Sequence, residues 1–290
     1  MIALTAALVG STPSLEVNVM SFNIRYGTAN DGPDAWPHRR AQVLAMLKEF
    51  RGDFIALQEA LDFQVDEILE AIPHTAFIGV GRDDGERAGE FSAVIYATDR
   101  WEAMASGTFW LSDTPDVVAS KHWGNRITRI CTWGRFRHRA TGRTVLFGNA
   151  HWDHESQPSR ERSAIVMADR LARARQPDEV VIVTGDFNAG ERNTAVRYLL
   201  GERIPEEPFD GRTSPLALVD TFRVMAPKET EVGTFHAFKG GTGGDKIDYI
   251  LVSPGVETLA ASIDRRHHSG RYPSDHYPVT ARIRIPVQST

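Results

Sequence analysis

Apolar runs of strand length that stop at a polar side chain recur along this sequence, and they restrict its fold more than any other feature. Residues 53–58 run into Glu59, residues 180–185 (ValValIleValThrGly) into Asp186 and Asn188, and residues 17–22 into Asn23. A continuous apolar run marks a strand buried on both faces, while period-two alternation marks one buried on a single face. The helical period appears between them. Residues 36–50 place Val43, Leu44, Leu47 and Phe50 on one face, with Pro37 at the start, where its missing N–H does no harm. Residues 61–72 repeat the pattern through Leu61, Val65, Ile68, Leu69 and Ile72. Spans 77–80, 92–97, 100–110, 127–137 and 144–152 then read as strands, and 159–175 as a helix burying Ile165, Val166, Ala168 and Leu171. Further strands are expected at 219–221, 233–238, 248–252 and 279–285, and the charged, glycine-rich residues 82–89 read as a mobile surface loop. Strands outnumber helices, and strand–helix units at 17–50 and 180–200 argue for mixed sheets covered by helices.

Composition narrows the class. The 290 residues are 41% hydrophobic and 24% charged, ordinary for a globular chain with a sizeable core. No internal repeat or long linker divides them, so residues 16–288 read as one domain behind an extension at 1–15. Residues 1–14 resemble a truncated export signal but lack a basic start, which leaves both a cytoplasmic and an exported protein open. No run reaches the ~20 apolar residues that span a bilayer, and no amphipathic basic helix suggests insertion. The single cysteine, Cys131, permits no intrachain disulfide or cysteine zinc cluster and reads as a core residue. A net charge of −5 argues against a general duplex-DNA binder, which normally carries a basic face.

The chemistry lies at the strand ends. Asn23, Glu59, Asn149, His151, Asp153, His154, Asp186 and Asn188 follow strands; Asp248, Asp275 and His276 stand at the start of others. Each alone has a bland reading, since Asn and Asp at strand ends make turns with their own backbone. Together they form an oxygen-rich set with a few imidazole nitrogens. Hard cations such as Mg²⁺ take carboxylate, carbonyl and water oxygens, whereas zinc sites favour clustered His or Cys. Oxygen ligands plus amide and imidazole donors suit hydrolysis of a phosphoester, where charge on phosphorus oxygens must be neutralised while water attacks in line.

Six segments carry a resemblance: SerPheAsn (21–23), LeuGlnGluAla (57–60), AsnAlaHisTrpAspHis (149–154), GlyAspPheAsnAla (185–189), LysIleAspTyrIle (246–250) and SerAspHisTyrProVal (274–279). In this order they resemble the motif series of the endonuclease/exonuclease/phosphatase superfamily, over nearly the whole chain. The resemblance implies a four-layer α/β sandwich, two packed mixed β-sheets flanked by helices, with the active site in a cleft at one end. It implies one or two bound Mg²⁺ ions, with Mn²⁺ able to substitute, held by Glu59 with Asn23 beside it and Asp275 as a further ligand, direct or through water. Asp186 and Asn188 would hold the nucleophilic water and the phosphate, Asp248 and His276 would form an acid–histidine pair, and His151 would donate to the phosphate or leaving oxygen. Asp186 and His276 both stand as the general base.

The resemblance implies a phosphoester substrate, and a small molecule is expected over DNA or RNA because the chain is acidic and has no basic arm. A nuclease is the alternative within enzymes, and an inactive binding protein of the same fold is the remote one; Glu59, Asp186 and His276 argue against the latter. Three further substrate contacts are expected. These are His154 at the end of its motif, His236 between Phe235 and Phe238, and Arg271 beside His267 and His268. Trp101, Trp110, Trp123 and Trp133 read as strand-core aromatics, or as a stacking rim for a base or sugar.

Overall fold

A computed structural model describes residues 14–286, and its elements follow the apolar pattern closely. In chain order they are β1 (Ser14–Asn23), α1 (Trp36–Phe50), β2 (Phe54–Gln58), α2 (Asp62–Ala71), β3 (Thr75–Ile78) and β4 (Val94–Ala97). Then come β5 (Trp101–Trp110), β6 (Ile130–His138), β7 (Thr144–His151), α3 (Gln157–Ala174), β8 (Val180–Asp186) and α4 (Thr194–Leu199). Last are β9 (Val219–Asp220), α5 (Thr221–Met225), β10 (Asp248–Val252), β11 (Glu257–Ile263) and β12 (Val279–Pro286). The expected extension lies outside the described residues up to position 13, and Ser14 and Leu15 already pair with Pro286 and Ile285 in β12.

Two six-stranded sheets form, in the orders β11-β12-β1-β2-β4-β3 and β5-β6-β7-β8-β10-β9. Each has one parallel pair at its centre, β1 with β2 and β7 with β8, and α1 and α3 make the crossovers that a parallel pair requires. The inner faces meet in a core that includes Val19, Phe54, Phe147, Ile182, Ile250 and Ile283. Phe54 sits at its centre, 4.8 Å from Trp101 and 5.0 Å from both Phe136 and Phe147 between ring centroids. Truncating so enclosed a ring to alanine costs about 3–5 kcal/mol. Outside the first sheet, α1 and α2 bury Val43, Leu47, Val65 and Ile68 against it; outside the second, α3 and α4 bury Met167, Leu171, Val196 and Leu199. This is the four-layer sandwich the motifs imply.

Four expectations change. Residues 233–238 form no strand: Ala237 and Phe238 adopt left-handed backbone (φ 48° and 62°), and only Phe235 makes a bridge, to His276. β11 escaped the pattern because it is an edge strand whose residues are mostly half-buried or exposed. The 82–89 segment is tied down by hydrogen bonds, Asp84 accepting from the Glu86 and Ala88 amides and Asp83 from Thr128. The tryptophans are not a substrate rim: Trp101 and Trp110 are buried, Trp133 packs on the second sheet's outer core, and Trp123 donates to Asp113.

Candidate active site

Both parallel pairs end at the same edge of the sandwich, and there the chain bends sharply three times. Arg25 just past β1, Glu59 just past β2 and Asn188 just past β8 all have positive φ, at 57°, 60° and 47°. Left-handed backbone at a non-glycine residue costs on the order of 1–3 kcal/mol and persists only where its surroundings enforce it. All three residues line one cleft of about 670 Å³. Phe187 shows how local packing aims the motif. Its ring stacks between Trp152 (4.1 Å) and Tyr249 (5.1 Å) in the core, while its neighbours Asp186 and Asn188 face the cleft.

Asp186 is the hub. Its Oδ2 accepts a hydrogen bond from Asn23 Nδ2 at 3.0 Å, and its Oδ1 accepts from the Asn188 amide at 2.9 Å. The same oxygen Oδ2 lies 3.5 Å from His151 Nε2 and 3.7 Å from His276 Nε2. Register explains the convergence, since Asp186 pairs with His151 on one side and with Asp248 on the other. His276 donates from Nδ1 to the buried Asp248 Oδ2 at 2.9 Å; a carboxylate only accepts, which fixes that nitrogen as protonated. Burial disfavours a charged His276, yet the carboxylates of Asp248 and Asp186 outweigh it and raise the ring well above its ordinary value. Burial likewise pushes Asp186 up to about 7, helped by Asp248 and opposed by His276. His151 goes the other way: burial, then the charges of Arg129 and Arg82, hold it well below its ordinary value and therefore neutral.

Asn23 Nδ2 also donates to Glu59 Oε1 at 3.1 Å, and Glu59 Oε2 accepts from the Tyr26 amide at 3.2 Å. Asp275 lies beside them, its carboxyl pushed up first by burial. The guanidinium of Arg25 approaches Glu59 and Asp275 only to 4.0 and 3.9 Å, being forked instead onto Asp31 at 2.9–3.0 Å. Two largely buried carboxylates that Arg25 approaches no closer than 3.9 Å fit a hard divalent cation, whereas Asn23 turns its Nδ2 toward Glu59 and accepts from the Arg25 amide with its Oδ1 at 3.0 Å. Asp186, Asp248 and His276 also bring ligand-type atoms within 4.8 Å of one another.

The structure thus brings Asn23, Glu59, His151, Asp186, Asn188, Asp248, Asp275 and His276 together, and His154 reaches the cleft wall, its Nδ1 2.9 Å from Arg129 Nη2. Two expected contacts are not brought there. His236 is stacked on Tyr277 at 4.0 Å and tilted against Tyr272, with burial lowering it to about 4. Arg271 is exposed, and among the described residues its one side-chain hydrogen bond is to the Pro33 carbonyl at 3.4 Å. Both residues stand ahead of a motif, and neither lines the cleft. Five charged cleft residues went unread: Arg25, Asp31, Arg82, Glu90 and Arg129. Glu90 stands just ahead of an apolar strand, the same signal that marked Asp275; the arginines carry no signal in a sequence with many of them.

The sequence matches the model of the Endonuclease/Exonuclease/phosphatase family over residues 20–276. None of the curated proteins compared with it matches. Among solved structures, an endonuclease/exonuclease/phosphatase family protein from Bacteroides thetaiotaomicron is 31% identical, with a TM-score of 0.81 over 94% of this chain and 96% of that one. The mannosyl-6-phosphatase Bt3783 of the same organism is 32% identical, with a TM-score of 0.79 over 92% of this chain and 99% of that one. The human Nocturnin catalytic domain, 17% identical with a TM-score of 0.71 over 94% of this chain and 97% of that one, shares the fold. A match across almost the whole chain, on a fold whose two parallel strand pairs gather the motif residues at one cleft, places this protein in the Endonuclease/Exonuclease/phosphatase family.

Proposed function

We propose that the chain hydrolyses the phosphoester bond of a small molecule, with Mg²⁺ or Mn²⁺ bound at Glu59 and Asp275 and Asn23 orienting Glu59 through its Nδ2. Family membership supports a hydrolase at the coarse level. The observation that carries the finer reading is the Asp186 hub, with Asn23, His151 and His276 around one carboxylate and Asp248 behind His276. A bound divalent cation supplies charge neutralisation at a phosphate oxygen and at the leaving oxygen. The other parts belong to the chain. Asp186, its second oxygen held by the Asn188 amide, orients a water and accepts its proton as the water attacks phosphorus in line. His276, kept protonated at Nδ1 by Asp248, aims Nε2 at the phosphate oxygens, where developing negative charge strengthens the contact. Neutral His151 donates from the opposite side of Asp186.

A cleft of about 670 Å³ is of the size that encloses a small ligand, and the charge of −5 weighs against a nucleic-acid backbone. Similarity to a mannosyl-6-phosphatase supports the same reading. Nuclease action is the second reading, favoured by fold similarity to a zebrafish (D. rerio) TDP2 complexed with single strand DNA product at 15% identity. No helix among the described residues is long and apolar enough to cross a membrane. The test is a panel of sugar phosphates, p-nitrophenyl phosphate, bis-p-nitrophenyl phosphate, single-stranded DNA, RNA and abasic duplex, each with Mg²⁺ and Mn²⁺. Turnover of small esters well above that of nucleic acid is expected; efficient DNA cleavage at physiological salt overturns the preference.

A further inference from the structure

The cleft wall beyond His151 holds two arginines for which the reaction above has no use. Arg82 follows β3 and Arg129 stands immediately before β6, and both line the cleft. Arg82 is forked onto Glu90, Nη1 to Oε2 at 2.5 Å and Nη2 to Oε1 at 2.8 Å, and its buried Nε has no partner. Arg129 is less well matched. Its side chain is only 3% exposed, yet among the described residues it makes a single side-chain hydrogen bond, between Nη2 and His154 Nδ1. Its buried Nε finds no acceptor within hydrogen-bond reach; Asp153 Oδ2 is 3.6 Å away. Asp153 itself is engaged through Oδ1 with the amides of Glu155 and Ser156 at 3.0 and 2.7 Å.

Two guanidinium groups close together in a desolvated wall oppose each other, and burial followed by the charge of Arg82 lowers Arg129 from its ordinary value. The carboxylates of Glu90, Asp153 and Asp186 act on Arg129 in the other direction but compensate only in part, since burial pushes Glu90 up to about 7 and Asp153 stands 3.6 Å from Arg129 Nε. A buried guanidinium whose hydrogen-bonding capacity is only partly met is costly, and an anionic oxygen would complete it. The place is specific, since both arginines act on His151, whose Nε2 is 3.5 Å from the hub oxygen of Asp186. An anion completing the arginine wall would therefore lie beside His151 and Asp186, in the cleft that Glu59 and Asp275 also line.

We propose that Arg129, supported by Arg82 and His154, binds the third non-bridging oxygen of a phosphomonoester and makes monoesters, not diesters, the preferred substrates. This rests on the phosphoester reading above. A diester phosphate has two non-bridging oxygens and one negative charge, which the cation side and His276 accommodate. A monoester near neutral pH has a third oxygen and a second charge, and the wall beyond His151 is where both find donors. An arginine can give that oxygen two charge-assisted hydrogen bonds from one planar group.

The test uses the full chain with Mn²⁺ and two probes, inorganic phosphate at pH 8 as the dianion and dimethyl phosphate as the diester monoanion. Titration calorimetry of wild type, Arg129→Met and Arg129→Lys gives the affinities. Phosphate should bind Arg129→Met on the order of 10–100-fold more weakly than wild type, with a markedly smaller loss for dimethyl phosphate and partial recovery in Arg129→Lys. The ratio of kcat/KM for p-nitrophenyl phosphate over bis-p-nitrophenyl phosphate should fall with it, mainly through KM. Equal losses for both probes, or none, overturn the proposal. Should both variants fail to fold, wild type binding dimethyl phosphate as tightly as phosphate overturns it, and a clear preference for phosphate upholds it. Discrimination between the probes without hydrolysis of any ester sinks the hydrolytic reading and leaves the anion site standing.

Discussion

Nδ1 of His276 and Oδ2 of Asp248 lie 2.9 Å apart with both side chains buried, although 28 residues separate them in the chain. Asp248 is the first residue of β10, in register with Asp186, and His276 stands three residues before β12, so each sheet contributes one partner. If the pair works as one unit, His276→Ala and Asp248→Ala should each lose on the order of 10²–10⁴-fold in kcat, and the double variant little more. Asp248→Asn should keep the shape and lose activity, because a neutral amide no longer favours the protonated ring. Rates per folded molecule across the four proteins check this; multiplicative losses would show that the residues act separately.

Metal dependence follows from the carboxylates of Glu59 and Asp275, which Arg25 approaches no closer than 3.9 Å. Chelator should abolish hydrolysis, and Mg²⁺ or Mn²⁺ should restore it. Glu59→Gln replaces an ionic ligand by a neutral one, so calorimetry should show weakened Mn²⁺ binding and assays a rate loss of at least ~10²-fold. Undiminished turnover in excess chelator would end the metal reading.

The buried Glu90 carboxyl predicts a pH dependence of stability. Burial raises it from 4.5 to about 7, more than Arg82 recovers. Because the folded value exceeds the unfolded one, this group's contribution is complete below the lower value and disappears as pH rises through the higher. The difference in Tm between wild type and Glu90→Gln should therefore decline from about pH 4.5 to about 7 and then level off. A difference that instead grows over this window would mean that the fork with Arg82 outweighs burial.

Gly185 belongs to the GlyAspPheAsn motif for a steric reason. A methyl group there would stand 2.2 Å from the Ala150 carbonyl oxygen, on the neighbouring strand β7. Backbone cannot swing away as a side chain can, so Gly185→Ala should destabilise by on the order of 1–3 kcal/mol and shift His151 against Asp186. Both Tm and kcat should fall. Gly243, where an added methyl meets nothing within 4 Å, is the control, and Gly243→Ala should change Tm far less.

How far the sequence leads depends on the range of the interaction concerned. The buried strands and both long outer helices follow from periodicity because the burial that enforces it repeats every two or 3.6 residues, within sight of a short window. α1 begins and ends where the apolar face of residues 36–50 does. The polar residues at strand ends were readable for the same reason: an apolar run stops where the sheet meets solvent or a cleft. Residues 233–238 show the limit of that reasoning, since their aromatic alternation is compatible with a strand and only tertiary contacts hold Ala237 and Phe238 in left-handed backbone.

The sequence by itself determined most of the elements, the edge strand β11 and residues 233–238 excepted, and the oxygen and imidazole donors that stand at the strand ends. Tertiary structure alone decided which of the remaining charged residues share the cleft. Arg82 and Arg129 face it from segments 47 positions apart, while His236 and Arg271, close to a motif, are turned away. Charge acts through space over several ångströms and leaves no period along the chain, so its partners become known only when the two sheets have packed.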